Sequence, residues 1–136
     1  MQLITYNKNL QNLFNKSLIN YKIFSGKYLI LESNGIGKIY NAYKDTLLFE
    51  GEYLNGKKNG KGKEYSDFAS LIFEGEYLNG KRHGKGREFN NDGNIIFEGE
   101  YLNGKKNGKG KSYNNDGNII FEGEYLSGEK WNWKRI

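Results

Sequence analysis

Most of this chain alternates apolar and charged residues with a period of two, the pattern of half-buried β-strands. The phrase Phe-Glu-Gly-Glu-Tyr-Leu begins at Phe49, Phe73, Phe97 and Phe121, a spacing of 24 residues. A fixed period of this length indicates one supersecondary unit copied in tandem. We therefore expect function to reside on a surface that the copies build together, rather than in a single enclosed pocket.

Two kinds of turn divide each unit into strands. Asn-Gly recurs at 55–56, 79–80 and 103–104, and it predicts a two-residue type I′ hairpin turn because both residues tolerate a positive φ. Counting outward from Asn79 and Gly80 sets Phe73 opposite Gly86. A second two-residue turn at Asp92-Gly93 is predicted to join one unit to the next.

Counting outward from this second turn sets Phe97 opposite Glu88, Gly99 opposite Gly86, and Ile96 opposite Phe89. Both counts put the aromatic residues and the paired glycines on one face and oppositely charged residues on the other. The predicted fold is all-β, a single antiparallel sheet of stacked β-hairpins. Because a ring can lie flat only over a residue without Cβ, rings are expected to cover six glycines. These are Gly60, Gly62, Gly84, Gly86, Gly108 and Gly110.

The repeats predict a division of the chain. Residues 24–48 form a degenerate unit, followed by units at 49–72, 73–96 and 97–120 and a truncated unit at 121–136. Residues 1–23 are predicted to be an N-terminal cap, since the ends of a repeat stack need an atypical closing element. Leu10, Leu13, Phe14 and Leu18 have helical spacing, and a short helix and a frayed strand both remain open there.

The C-terminus departs from the repeat at Trp131 and Trp133. If one residue is deleted from the loop, both tryptophans take the places of paired glycines on the aromatic face. If Ser127 and Gly128 form a two-residue turn with no deletion, both fall on the opposite face. Either arrangement predicts a cap or a self-association surface, and a homodimer is one expected state.

Composition narrows the class of protein. The chain has no cysteine, so nothing indicates a disulfide framework or an oxidising compartment. Residues 1–23 contain no continuous apolar stretch long enough to span a bilayer, and we expect a soluble, cytoplasmic protein. The net charge is +5, but six lysines against two acids in residues 1–48 account for most of it. Because the repeats are nearly neutral, nucleic acid is not an expected partner.

The residues that enzymes use are scarce. His83 is the only histidine, so a zinc site or a nucleophile–base pair is not available. The glutamates recur in every copy, whereas a catalytic acid and base need different environments to separate their pKa values. We expect no catalytic residue, no metal and no cofactor.

The unit over residues 73–86, Phe-Glu-Gly-Glu-Tyr-Leu-Asn-Gly-Lys-Arg-His-Gly-Lys-Gly, resembles the MORN (membrane occupation and recognition nexus) motif. The resemblance covers about 24–136 and is specific for 49–126, although the second aromatic is Tyr where the family often has Trp. It implies an elongated, twisted and grooved sheet of hairpins. It also implies protein scaffolding, often with self-association, an affinity for phosphoinositides and, in bacterial relatives, antitoxin or immunity roles.

The aromatic face is the main predicted site. We expect part of it to stay exposed as a groove, because a single-layer sheet has no second layer to bury it. Its residues are Phe49, Tyr53, Phe73, Tyr77, Phe97, Tyr101, Phe121 and Tyr125. Glu64 and Glu88 lie beside these rings and suit a cationic side chain on a bound protein segment, either an extended peptide or a helix. The leading hypothesis is therefore a non-enzymatic interaction scaffold.

Basic pairs just after the hairpin turns support an alternative. They are Lys57-Lys58, Lys81-Arg82 and Lys105-Lys106, and they should line one edge of the sheet. Such a ridge can meet the anionic phosphates of a membrane, or it can simply be a solvated border that discourages aggregation. A bacterial antitoxin- or immunity-type inhibitor is a third hypothesis.

Overall fold

A computed structural model describes residues 20–24 and 26–134, with side chains over 26–131. These residues form one antiparallel sheet in which eleven strands follow each other in chain order. The strands are β1 Asn20–Phe24, β2 Lys27–Leu31, β3 Ile36–Asn41, β4 Leu47–Leu54, β5 Lys57–Tyr65, β6 Leu71–Leu78, β7 Lys81–Phe89, β8 Ile95–Leu102, β9 Lys105–Tyr113, β10 Ile119–Leu126 and β11 Glu129–Lys134. The predicted all-β fold is confirmed.

The described part of the chain contains no helix, and the helix considered over Leu10 to Leu18 lies outside it. The end of the predicted cap is strand β1, which pairs with β2 through a turn at Gly26, where φ is 72°. Gly26 therefore lies between strands, whereas Gly51 of the next unit lies within strand β4. Gly37 lies within β3 and pairs with Gly51.

A continuous row of glycines crosses the sheet. Each member lies directly opposite the next on the neighbouring strand, from β3 to β10. The row comprises Gly37, Gly51, Gly62, Gly75, Gly86, Gly99, Gly110 and Gly123. In β11 the position opposite Gly123 is Trp133, so its backbone follows the one-residue-deletion register.

Rings cover this row on one face, as predicted for Gly62, Gly86 and Gly110. A Cβ added to Gly86 would lie 2.6 Å from Cζ of Phe73 and 3.1 Å from Cε1 of Tyr101. The three other glycines in that prediction are not covered by rings. Gly84, for example, has a φ of 78°, and a Cβ there would meet the carboxylate of Glu76; Gly60 and Gly108 are equivalent.

The hairpin turns are of the predicted kind, since Asn79 has φ 51° and Gly80 has φ 87°. The register inside the hairpin nevertheless differs from the count. Phe73 lies opposite Glu88, not Gly86, because a bulge interrupts the pairing between Gly75 and Tyr77. The shift is two residues, so every side chain keeps its predicted face.

The register between units is confirmed, with Glu88 opposite Phe97 and Gly86 opposite Gly99. The turn itself differs from the prediction. Asn90 and Asn94 close a three-residue loop in which only Gly93 has a positive φ. A bulge then pairs Phe89 with Ile95 in place of Ile96, and it restores the predicted register.

The covered glycines give a test of the packing. Gly86→Ala forces a Cβ against the ring of Phe73 and should lower the free energy of unfolding by about 1–3 kcal/mol. Leu78→Ala, at a side chain that is 44% exposed, should change it by less than about 0.5 kcal/mol. Urea denaturation followed by circular dichroism measures both. Equal stability of Gly86→Ala and the natural protein would contradict this packing.

Candidate functional site

The aromatic face is closed. Seven of the eight predicted groove rings are 0–5% exposed, and the eighth, Tyr53, is half-buried. Phe49, Phe73 and Phe97 each meet two Tyr rings edge to face. The centroid of Phe73, for example, is 5.9 Å from that of Tyr77 and 5.3 Å from that of Tyr101. Pairs of this geometry contribute about 0.5–1.5 kcal/mol beyond burial. The expectation of an exposed aromatic groove was therefore wrong.

Cations of the chain itself cover the rings. Arg82 Cζ lies 3.9 Å from the centroid of Phe73, and Lys58 and Lys106 place Nζ 4.1 Å from Phe49 and Phe97. The six residues of the predicted basic ridge therefore do not lie together at one edge. Lys57, Lys81 and Lys105 stay exposed at the hairpin edge, whereas the second member of each pair folds over the aromatic face.

The two predicted acids hold these cations in place. Glu64 accepts a hydrogen bond from the hydroxyl of Tyr77 and another from Arg82 Nε at 2.8 Å. Glu88 accepts from the Tyr101 hydroxyl at 2.6 Å and lies 3.6 Å from Lys106 Nζ. The chain's own Arg82 thus occupies the place predicted for a partner's cation.

Burial sets the electrostatics of this face. Burial raises the pKa of Tyr77 and of Tyr101, and the adjacent carboxylates of Glu64 and Glu88 raise both further. Burial also acts to raise the pKa of Glu64, but hydrogen bonds from Arg82 and Tyr77 outweigh it and hold that pKa below its ordinary value. These hydrogen bonds and ion pairs hold the side chains over the rings, and they leave little room for a ligand on this face.

The open concavity lies on the opposite face. It is a groove of about 1440 Å³ that extends from β3 to β10, with the glycine row along its floor. Two lines of charged side chains flank the floor, one on each side. One line is Lys38, Glu50, Lys63, Glu74, Arg87, Glu98, Lys111 and Glu122; the other is Glu52, Lys61, Glu76, Lys85, Glu100, Lys109 and Glu124.

Each strand from β4 to β10 carries one sign of charge on both sides of the glycine. Strand β6 contributes Glu74 and Glu76, and β7 contributes Lys85 and Arg87. Acidic and basic bands therefore alternate along the groove about every 4.8 Å, the spacing of neighbouring strands. Sequence reasoning placed these residues in a solvated ladder and missed the groove, because a period-two pattern assigns side chains to a face without showing whether that face is concave.

Most of the acids in the groove are already engaged. Glu76 accepts a hydrogen bond from the backbone N–H of Lys85 at 2.8 Å, and Glu52 and Glu100 do the same at Lys61 and Lys109. Three acids of the other line have cationic neighbours: Glu74 lies 3.6 Å from Arg87, Glu122 lies 3.9 Å from Lys111, and Glu50 lies 3.8 Å from Lys38. Glu98 accepts from the Tyr113 hydroxyl.

Four lysines of the groove are not engaged in this way. Among the described residues, the ammonium groups of Lys61, Lys63, Lys85 and Lys109 have no carboxylate within 4.0 Å. Of the acids in the two lines, only Glu124 has neither a hydrogen bond nor a cation within 4.0 Å among the described residues. Four of the five unengaged charged groups are therefore lysines, although the two lines together hold one more acid than base.

The described residues include no cluster of acids and histidines suited to a metal ion. They also include no helix with the length and apolar character needed to cross a bilayer.

A single-layer antiparallel sheet of 24-residue hairpin units, crossed by a glycine row, defines a β-hairpin repeat protein. The family model of the MORN repeat matches residues 49–67, 73–95 and 97–119, and the chain belongs to this family. MORN repeats are generally protein- or membrane-interaction repeats, and the fold is typically non-enzymatic. The predicted boundaries outside 49–119 stay predictions.

Two crystal structures are similar to this chain. One is of TarM, with 20% identity over 85% of this chain and 22% of that chain and a TM-score of 0.46. The other is a mutant of S. aureus TarM in complex with Fondaparinux, alpha-GlcNAc-glycerol and UDP, with 18% identity over 93% and 24% and a TM-score of 0.49. This chain spans about a quarter of their length at most, and neither likeness bears on what it binds. No curated protein matches this chain.

The buried tyrosines predict an alkaline limit to stability. Their pKa is raised above the unfolded value of about 10, so their contribution is complete below pH about 10 and is lost as the pH rises further. The free energy of unfolding should fall by about 1.4 kcal/mol per pH unit for each such tyrosine. Tyr101→Phe should flatten this slope in urea denaturation between pH about 9 and 11.

Leu78→Ala removes no titrating group and should keep the natural slope. A slope that Tyr101→Phe leaves unchanged would show that Tyr101 ionises equally in the folded and unfolded states.

Proposed function

We propose that this protein is a non-enzymatic scaffold whose charged groove binds an extended, acidic segment of a partner protein. The observation that carries the proposal is the set of four groove lysines without a carboxylate partner, in a groove where most acids are engaged. The class of function follows the family; the groove and the acidic partner are proposed from the geometry.

The width of the groove supports an extended segment. Residues on either side of a floor glycine, such as Lys85 and Arg87 around Gly86, are two positions apart in one strand. Two positions span about 7 Å, whereas a helix with its side chains is about 10–12 Å across. An extended chain therefore fits between the two charged lines better than the helix that the sequence left open.

The length of the groove indicates the length of the segment. The glycine row crosses eight strands from Gly37 to Gly123, which is about 34 Å at the strand spacing. An extended peptide of about ten residues covers this distance. The basic bands on β5, β7 and β9 recur about every 9.6 Å, close to the 9.3 Å or so that three residues span in a polyproline II segment.

Anionic lipid has weaker support as the partner. Only Lys57, Lys81 and Lys105 of the predicted ridge remain at the exposed edge, and each basic residue contributes about 1 kcal/mol at an anionic membrane. Three separated lysines would give weak attachment. The antitoxin- or immunity-type hypothesis stays a prediction, in which the bound segment would belong to a toxin.

Matched charge reversals test the proposal. Lys61→Glu, Lys85→Glu and Lys109→Glu change the groove, and Lys57→Glu, Lys81→Glu and Lys105→Glu make the same change of charge at the edge. The probe is a fluorescent ten-residue peptide with Glu at every third position, and its binding is measured by anisotropy at several salt concentrations. The groove variant should reduce affinity at least about tenfold, and the edge variant should change it little.

A peptide with Lys at the same positions is the charge control, and it should bind more weakly. Equal loss in both triple variants would indicate nonspecific attraction by net charge. Loss only in the edge variant would move the interaction to the hairpin turns, where anionic vesicles become the appropriate probe.

A further inference from the structure

Lys58 lacks the acidic neighbour that its equivalents Arg82 and Lys106 have. Each covering cation lies over a Phe whose neighbours across the sheet are fixed by register. Phe73, under Arg82, lies between Glu64 and Glu88. Phe49, under Lys58, lies between Ile39 and Glu64. Ile39 therefore occupies the place that an acid holds in the next two units.

Distances confirm the difference between the units. Arg82 lies 2.8 Å from Glu64 and 3.5 Å from Glu88, and Lys106 lies 3.6 Å from Glu88. Among the described residues, Lys58 has no carboxylate within 4.0 Å. Glu64 is the nearest acid by register, and its Oε2 atom is held by Arg82 and Tyr77.

Residues 1–31 contain no acidic side chain that could pair with Lys58. The first Asp or Glu in the sequence is Glu32, and Glu32 lies 3.0 Å from Lys38. Lys58 is thus a half-buried ammonium group over an aromatic ring, with no carboxylate of the described residues within ion-pair distance.

A cavity of about 560 Å³ lies beside Lys58 on the aromatic face. Ile39, Leu48, Phe49 and Ile72 give it apolar walls, and Lys27 also lines it. The volume falls in the range of small-molecule sites, and polar side chains such as Asn41 and Ser66 share the lining with the apolar ones.

The charged residues that line the cavity are two bases, Lys27 and Lys58, and two acids, Glu64 and Asp67. Burial lowers the pKa of Lys58, and the positive charges of Lys27 and Arg82 lower it further, against an opposing effect of Glu64. An anion near Lys58 would relieve this repulsion. Because Glu64 and Asp67 also line the cavity, a dianion such as phosphate would be repelled more strongly than a monoanion.

We propose that this cavity binds a monocarboxylate with a small apolar body, with the carboxylate on the ammonium group of Lys58 and the body against Ile39, Leu48 and Ile72. The carboxylate can belong to a free organic acid or to an acidic side chain of a partner protein. This site is on the opposite face from the charged groove, so it does not depend on the function proposed for the groove.

Small acids and their neutral amides test this site. Hexanoate and benzoate are titrated into the protein, with hexanamide and benzamide as matched controls, while methyl NMR signals of Ile39, Leu48 and Ile72 are followed. The acids should give saturable shifts at these methyl groups, and the amides should bind at least about tenfold more weakly. Equal binding of acids and amides would overturn the role of Lys58.

Two variants with a matched control separate the ion pair from packing. Lys58→Met keeps an unbranched stem over Phe49 and removes the charge, and Ile39→Glu restores the acid found in the next units. Both should lose acid binding, whereas Lys106→Met, in the equivalent place over Phe97, should retain it. Retained binding in Lys58→Met and Ile39→Glu would refute the proposal, and circular dichroism confirms that each variant is folded.

A second comparison identifies the source of the carboxylate. Short peptides that contain one Glu or one Gln beside an apolar residue are titrated in the same way. Binding of the Glu peptide with weak binding of hexanoate indicates a protein partner, and the reverse indicates a free acid. Failure of every carboxylate to shift the methyl signals refutes the site, whatever the outcome for the groove.

Discussion

The contact between an aromatic ring and a glycine on the neighbouring strand is the interaction on which this structure depends. A single-layer sheet has no second layer against which to bury its apolar face. Here the rings lie flat on the sheet's own backbone, as Phe73 does over Gly86. The sheet thereby forms a core without a partner layer, and the glycine row is the other half of that core.

The packing of rings onto glycines determines which face of the sheet stays open. Rings that lie flat can be reached by the side chains just after the hairpin turns, and Arg82 covers Phe73 while Glu64 and Glu88 orient it. The aromatic face is thus completed within the chain, except beside Lys58. On the reverse face the glycines leave a floor without side chains, and that floor becomes a groove.

The faces of the sheet could be predicted from the sequence because a period-two pattern survives any shift by an even number of residues. The shift of Glu88 opposite Phe73 is of this kind. The bulge itself was missed, although a second Gly after each turn, such as Gly84, is a usable signal for it. A glycine that lies under no ring needs another reason, and here the reason is its positive φ.

The site was harder to predict than the fold. Whether Tyr77 is exposed depends on how far Arg82 and Lys58 reach across the face, and the position of a residue in a strand does not determine the conformation of a long side chain. The lack of an acid beside Lys58 is easier to find from the sequence. Aligning the units places Ile39 where the next two units have Glu64 and Glu88. Internal repeats thus reveal a position that departs from its equivalents, which a chain without repeats would not reveal.

Contacts between units involve only nearest neighbours, and this has a consequence for how the protein can change over evolutionary time. Duplicating or deleting one 24-residue unit adds or removes two strands and leaves every other contact as it was. The groove then grows or shrinks by about 9.6 Å, enough for roughly three residues of a bound chain. Under the function proposed for the groove, copy number would set the length of the partner segment that binds, and that length could change without any change in the residues that contact it.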